Sequence, residues 1–305
     1  MLSILVPARN GRAMTEECLR TILSSLRVLR LEDRAEFILM DDNSDPALGI
    51  ADAFRAFRAQ TAAPVSIFRF RTWQHYTGVF AYGLSRARGS NVLFVSNDMR
   101  MTPGFLRTVI AVSALDASIG IVRGTSENCD SHPEHDRAPD RPLLNYDDEV
   151  AFAERVAAAE GLRYVEDRLL SGDAVLVRRA LIDRIGVMDR QFFGYMGDPD
   201  YGLRAQRAGF RLVCAKGAWL VHTRAGHVKE EARARGIEFK AAMSERMHLV
   251  AAAYLKFREK WDKSLPPAYT GIGSIDFERL RTLKRVPAPQ YQPPLGPESS
   301  NVEVL

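Results

Sequence analysis

Short apolar runs alternate with amphipathic helical stretches through the first hundred residues, an order that builds βα units around a mostly parallel sheet. Leu2–Val6 reads as the first strand. Thr15 is the expected cap of a helix on which Leu19, Ile22, Leu23, Leu26 and Leu29 recur at helical spacing, with Glu16 and Glu17 in its positive first turn. Phe37–Met40, Val65–Phe70 and Val92–Val95 are the next strands, separated by helices over about Leu48–Ala59 and Val79–Ala87. Polar residues collect where these runs stop: Pro7-Ala-Arg-Asn-Gly11 after the first, Asp41-Asp42-Asn43-Ser44-Asp45-Pro46 after the second, Ser96-Asn97-Asp98 after the fourth. Such clusters resist burial, and in open α/β sheets ligands bind outside the carboxyl ends of strands, so one crevice can collect all three.

Thr102 and Pro103 open a further helix as cap and first residue. The polar stretch from Gly124 to Asp148 reads as a long loop that covers or shapes a site. Ala151–Glu160 is helical by composition, Ala174–Val177 a strand, Ala180–Ile185 a helix and Pro199–Ala208 another, with Leu212–Ala215 and Ala218–Val221 as two closing strands. Glu230–Trp261 is one long helix by propensity, its stripe of Met243, Met247, Val250, Tyr254 and Phe257 suited to packing on the body or on a second copy. Pro287, Pro289, Pro293, Pro294 and Pro297 mark a tail expected to be disordered or draped on the surface. The expected division is 1–227 as the main domain, split into 1–123 and 124–227, then a helical extension over 228–285 and a flexible tail over 286–305.

With 46% hydrophobic and 26% charged residues over 305 positions, the chain belongs with soluble globular proteins that bury a core without staples. A formal charge of +4 is too small an excess to point to nucleic acid. Cys18, Cys129 and Cys214 share no short spacing, which suits a reducing compartment; the expected location is cytoplasmic, with peripheral attachment to the inner face of a membrane the one form of membrane association left open. Cys129, His132 and His135, with Asp130 and Asp136 beside them, have spacing that zinc can use, but prolines interrupt the segment and no second ligand pair follows, so acceptor recognition or a lid is the preferred reading. Trp73, His75 and Tyr76 suit stacking on a base or sugar as well as rim packing, and Arg69 and Arg71 suit a solvated face better than phosphate.

No GxxxxGK[ST] loop occurs, and Gly271-Ile-Gly273 has no strand before it, so P-loop and dinucleotide readings fail. What remains is an acidic set, Asp41, Asp42, Asp98, Asp198 and Asp200, with His222 near the end of a late strand. In this order the segments Ile4-Leu5-Val6-Pro7-Ala8-Arg9-Asn10, Ile38-Leu39-Met40-Asp41-Asp42-Asn43-Ser44, Ser96-Asn97-Asp98, Gly172-Asp-Ala-Val-Leu-Val-Arg-Arg179 and Gly197-Asp198-Pro-Asp200-Tyr-Gly-Leu-Arg204 resemble the family 2 glycosyltransferases of the GT-A fold, from about Leu2 to His227.

The resemblance implies an α/β domain of the GT-A class, a mostly parallel central sheet flanked by helices, here with a helical C-terminal extension. It implies a nucleotide site of Pro7, Ala8, Arg9, Asn10, Asp41, Asp42, Ser96, Asn97 and Asp98, with Asp42 first choice and Asp41 second as acceptor for the base. Asp98 takes the surviving acid of the family's DxD signature, and with His222 it is the expected ligand set for Mn²⁺ or Mg²⁺. Asp198 matches the catalytic base, while Gly172, Asp200 and Arg204 support the acceptor side, Asp200 by accepting backbone N–H groups. The implied reaction moves a sugar from a UDP-, dTDP- or GDP-linked donor to a hydroxyl of a glycan, lipid-linked or protein acceptor by a single inverting displacement, as in cell-surface polysaccharide synthesis. Ser96, Arg100 and Gly197, standing where acids often occur, leave a non-catalytic sugar-nucleotide-binding module as the alternative, and a sugar-phosphate nucleotidyltransferase as the other. A homodimer through the C-terminal helices is compatible with the pattern.

Overall fold

The computed structural model describes residues 1–172, 174–223, 226–283 and 301–305. Asp173 and the run containing Pro287, Pro289, Pro293, Pro294 and Pro297 lie outside the described residues. In chain order the first half comprises β1 (Leu2–Ala8), α1 (Arg12–Val28), β2 (Ala35–Asp41), α2 (Ile50–Arg58), β3 (Val65–Phe70), α3 (His75–Arg86), β4 (Asn91–Val95), β5 (Met99–Arg100), α4 (Pro103–Ser113) and β6 (Ile119–Thr125). The second half adds α5 (Tyr146–Glu160), β7 (Tyr164–Glu166), β8 (Ala174–Arg178), α6 (Arg179–Ile185), α7 (Gly197–Arg207), β9 (Arg211–Trp219), β10 (Val221–His222), α8 (Gly226–Arg235), α9 (Phe239–Trp261), α10 (Phe277–Thr282) and β11 (Val302–Val304).

One sheet in the order β11-β3-β2-β1-β4-β8-β6-β9-β7 forms the centre. β1, β2, β3, β4, β6 and β9 share a direction, and β7, β8 and β11 oppose it. The central strands are buried on both faces, which is why their sequences run apolar without alternation. Successive residues still point to opposite sides: Ile4 and Val6 pack with α1, α2 and α4, whereas Leu5 packs with α3, α6 and α7. A third apolar cluster joins Leu203 of α7 to Val250, Tyr254, Phe257 and Trp261 of α9 and to Phe277 and Leu280 of α10, so the C-terminal helices are built onto the body.

Four local expectations are corrected. Gly11, not Thr15, precedes the first turn of α1, because consecutive left-handed residues at Asn10 and Gly11 turn the chain into the helix earlier; the Thr15 hydroxyl donates back to the Gly11 carbonyl at 3.0 Å. The long C-terminal helix is broken into α8 and α9 around Gly236, whose φ of +64° belongs to the left-handed region that ends helices. The two closing strands are one continuous β9 followed by the two-residue β10, which leaves the main sheet to pair with β5. Finally, Val302–Val304 is no draped tail: it pairs antiparallel with β3 and covers that edge of the sheet, Val302 opposite Phe70.

Candidate active site

The strand ends expected to meet do meet. Pro7, Ala8 and Arg9 after β1, Asp42 after β2, and Ser96, Asn97 and Asp98 after β4 line a single cleft of about 260 Å³, together with Trp73, Tyr76 and His222.

The Asp41-Asp42 turn separates the two acids by task. Asp41 is 1% exposed; its Oδ1 accepts the Ser44 N–H at 2.9 Å and its Oδ2 lies 3.5 Å from Arg69 Nε, so it holds the turn closed. That contact, with Arg69 also donating to the Ser44 carbonyl, gives Arg69 a structural use instead of a solvated one. Asp42 faces the cleft and accepts the Gln74 N–H at 2.6 Å. Burial pushes its carboxyl up to about 7, against the opposing pull of that N–H and of the Arg9 guanidinium. Arg9 itself is turned back on the turn, donating to the carbonyls of Asp42 and Asn43 and lying 4.7 Å over the Trp73 ring. Asn10 works the same way, its N–H reaching Ser44 Oγ and its Oδ1 accepting the Asp45 N–H. Asn97 donates from Nδ2 to Thr15 Oγ1 at 2.9 Å, tying the end of β4 to α1.

Asp98 and His222 are brought together by the small β5-β10 pair, in which His222 stands opposite Met99 and the Thr223 N–H donates to the Asp98 carbonyl. Both side chains are buried, and His222 Nε2 lies 3.7 Å from Asp98 Oδ2. His222 Nδ1 is 2.9 Å from the Asn128 carbonyl; a carbonyl only accepts, so Nδ1 carries a proton and Nε2 is the nitrogen turned toward the carboxylate. With its imidazole neutral, His222 Nε2 and Asp98 Oδ2, 3.7 Å apart at the wall of the cleft, are a donor pair of the kind that fits a divalent cation.

The other half of the site is the loop into α7. Gly194 and Tyr195 line the cleft; Asp198, in the first turn of α7, is partly exposed on this loop and is not among the cleft-lining residues. Asp200 and Arg204 are buried. Instead of backbone N–H groups, Asp200 accepts from Arg204 Nε (3.0 Å) and Trp261 Nε1 (2.9 Å) and pairs with Lys260, because α9 packs on this turn. Arg204 also donates to the carbonyls of Ile185 and Val187. Gly172 abuts α3: its carbonyl accepts from Tyr76 Oη at 3.0 Å, and a Cβ there would lie 1.5 Å from that oxygen.

The fourth wall was not foreseen. Val228, Glu231 and Arg235 of α8 and Ala242, Glu245, Arg246 and Leu249 of α9 close the cleft, and Glu231 Oε2 accepts from Asn10 Nδ2 at 2.8 Å while lying 3.3 Å from Arg9 Nε. Tyr195, packed against His75 and under Arg246, was missed as well; its only advance signal is the aromatic run that contains it. The expected aromatic group is present, Trp73 stacked on His75 with ring centres 4.6 Å apart. The three thiols are free and buried, and burial raises each of them, Cys214 to about 12, so none is poised as a nucleophile. No helix among the described residues is long and apolar enough to cross a membrane.

A mixed sheet, a cleft across the carboxyl ends of its parallel strands and an acidic rim beside a late histidine place the molecule in the GT-A-like class of α/β folds. The chain belongs to glycosyl transferase family 2, whose model matches residues 3–183, more than half of its length. A search of curated protein sequences finds no significant match. Among solved structures the chain is similar to the mannosyltransferase PcManGT from Pyrobaculum calidifontis in complex with GDP-Man and Mn²⁺, with 18% identity, a TM-score of 0.53, and coverage of 85% of this chain and 71% of that one. It also resembles residues 1–349 of S. aureus TarS, with 16% identity, a TM-score of 0.48, and coverage of 86% and 73%.

Proposed function

We propose that this glycosyltransferase is an inverting enzyme that takes a nucleoside-diphosphate sugar as donor and a hydroxyl as acceptor. The observation that carries the reading is the placement of Asp42, Asp98 and His222 in one cleft, also lined by Gly194 and Tyr195 of the loop that leads to Asp198 in the first turn of α7. Asp42 accepts from the base or ribose, its carboxylate form being the one that can only accept. Pro7 and Ala8 floor the nucleotide end, and the Trp73-His75 pair supplies a flat apolar wall for it. Asp98 and His222 would hold Mn²⁺ or Mg²⁺, which supplies positive charge to the departing diphosphate.

Asp198 is the general base. A sugar hydroxyl is a weak nucleophile at neutral pH, so a carboxylate within reach takes its proton as its oxygen attacks the anomeric carbon. The bond to the diphosphate oxygen breaks on the opposite face, and with one base and no nucleophilic carboxylate the displacement inverts the centre. Asp200 and Arg204 act as positioning residues that fix the first turn of α7, and hence Asp198, against α9.

The test begins with thermal-shift screening of UDP-, dTDP- and GDP-sugars with and without Mn²⁺, in which a donor raises Tm by binding the native state alone. Transfer and donor hydrolysis are then measured for Asp198→Asn. The enzyme reading requires a loss of about 10²–10⁴ in kcat with donor binding retained. Unchanged behaviour of that variant would leave a sugar-nucleotide-binding module in its place.

A further inference from the structure

Outside the cleft, the loop between β6 and α5 holds the densest cluster of metal-ligating side chains among the described residues. His132, His135 and Asp167 are all buried, and one ligand atom from each lies within 4.8 Å of the others. His135 Nε2 is 2.7 Å and His132 Nδ1 4.0 Å from Asp167 Oδ1, and Glu134 Oε1, at the surface, lies 3.1 Å from the same His132 nitrogen. We propose that His132 Nδ1, His135 Nε2, Asp167 and Glu134 form a structural Zn²⁺ site that fastens this loop to the chain following β7.

Three features support the assignment. Zinc with nitrogen and oxygen ligands at ~2.0–2.2 Å in a tetrahedron sets those ligands about 3.4 Å apart, and the observed separations of 2.7, 3.1 and 4.0 Å straddle that value. His132 Nε2 lies 3.2 Å from the Leu169 carbonyl, which only accepts; the ring proton is therefore on Nε2, and Nδ1 directs a lone pair at two carboxylates. An acceptor pointed at two acceptors calls for a cation, and a backbone carbonyl on the far ring nitrogen is the outer-shell arrangement that orients a metal-bound histidine. Asp167 also explains why residue spacing is a poor guide here: the ligand lies 32 residues beyond His135, while Cys129, the neighbour that spacing suggests, spends its thiol on Ser126 and the His135 carbonyl.

Loading has a defined proton balance. Without zinc, Lys216 Nζ donates to His135 Nδ1 at 3.1 Å and His135 Nε2–H donates to Asp167. To bind, His135 frees the Nε2 lone pair by carrying its proton on Nδ1, and the Lys216 ammonium, now facing a second donor, turns out to solvent. The site reaches the cleft through two contacts of the same loop, the Asn128 carbonyl on His222 Nδ1 and Asp130 in the cleft wall.

The experiment uses the full chain carrying Asp98→Asn and His222→Ala, so that zinc cannot collect at the donor-side pair. The protein is stripped with a chelator and titrated with ZnCl₂ by calorimetry, then with Co²⁺ by visible absorption. The proposal expects one equivalent bound, tetrahedral cobalt bands displaced by zinc, and a Tm about 5 °C higher with zinc at a hundredfold excess over Kd. Adding His132→Ala should abolish that equivalent. Because this variant can also fail to fold, Lys216→Met provides a test in the opposite direction: with the competing ammonium gone, zinc should bind about tenfold tighter or more. A stripped chain that takes up no zinc, uptake undiminished by His132→Ala in a folded protein, or an affinity unmoved by Lys216→Met would overturn the assignment in favour of the hydrogen-bonded network alone.

Discussion

Lys260, near the end of α9, lies 2.6 Å from Asp200 in the first turn of α7, and its side chain is only 5% exposed. The same nitrogen pairs with Asp189 at 2.7 Å, so one cation from the C-terminal helix closes a buried network of two carboxylates, with Arg204 as the second cation. The turn that carries Asp198 is therefore fixed by a helix that lies beyond the family match. Lys260→Met removes the cation that Asp189 and Asp200 share and leaves Arg204 on Asp200 alone, and losing one member of a buried ion-pair network costs about 3–5 kcal/mol. Urea denaturation at pH 7.5 should show that loss, and activity per folded molecule should fall with it.

Acid should attack the same network. Burial alone would raise Asp189, but the Lys260 ammonium and the Gln191 donors hold its carboxyl below the usual aspartate value of 3.8. A group whose folded value is depressed binds fewer protons folded than unfolded, so its contribution is present above about pH 4 and is lost as pH falls through its folded value. In Asp189→Asn the acid limb of the Tm-against-pH curve should flatten relative to wild type below pH 4. An unchanged limb would place the acid sensitivity elsewhere.

Asp42 gives the opposite sign. With its carboxyl raised to about 7 by burial, the folded chain keeps a proton that the unfolded chain has lost between about pH 4 and 7, so this residue subtracts stability as pH rises through that window and leaves a constant deficit above it. Asp42→Asn should accordingly raise Tm at pH 8. Nucleotide affinity should move the other way: it should rise from pH 6 to 8 in wild type as the carboxylate forms, and fall about 10–100-fold in Asp42→Asn, the range for a hydrogen bond to a charged group. Calorimetric titration with nucleoside diphosphates at the two pH values measures both effects.

The strand-end half of the site was legible because of a conflict within the sequence, in which fully apolar runs stop at residues such as Asp41-Asp42 and Asn97-Asp98 that cannot follow them into the core. What stayed hidden lacks any such conflict. Glu231, Arg235, Glu245 and Arg246 read as a solvated helix face until α8 folds over the cleft; Glu231 finds its partners in Asn10 and Arg9, more than two hundred residues away, Arg235 pairs with Glu245 of the next helix, and Arg246 lies over Tyr195. Val302–Val304 has too few residues to signal a strand; its order comes from backbone hydrogen bonds offered by the edge of β3. Asp200 was found as a residue but not in its contacts, since the Trp261 and Lys260 side chains that hold it arrive from another element.

Glu231 places a carboxylate at the donor end of the cleft, where it engages Arg9 and Asn10. In the proposed complex that carboxylate repels the diphosphate and occupies the guanidinium. Glu231→Gln keeps the amide-to-side-chain contact and removes the charge, so the KM for the donor should fall about two- to fivefold, the scale of a partly exposed pair worth up to ~1 kcal/mol. The gain should shrink as salt rises from 50 to 500 mM. A KM that rises instead would mean that Glu231 is needed to hold the nucleotide loop in shape.

Gly172 and Tyr76 meet so closely that no side chain fits at the glycine: an added Cβ would lie 1.5 Å from the tyrosine hydroxyl oxygen and 2.6 Å from its ring carbon. Tyr76 lines the cleft beside Asp42, so the collision is transmitted to the site. Gly172→Ala should destabilise the chain by about 1–3 kcal/mol, the usual cost of overpacking, and weaken donor binding as Tyr76 is displaced. Tyr76→Leu alone loses the hydrogen bond to the Gly172 carbonyl and the ring contacts with Phe80 and Phe94. Combined with Gly172→Ala, however, it makes room for the methyl group, and the double variant should be more stable than the sum of the single losses predicts, by more than the ~0.5 kcal/mol within which independent sites add. Chemical denaturation of the four proteins in the cycle measures that coupling, and strict additivity would show that the backbone at Gly172 relaxes away from the ring.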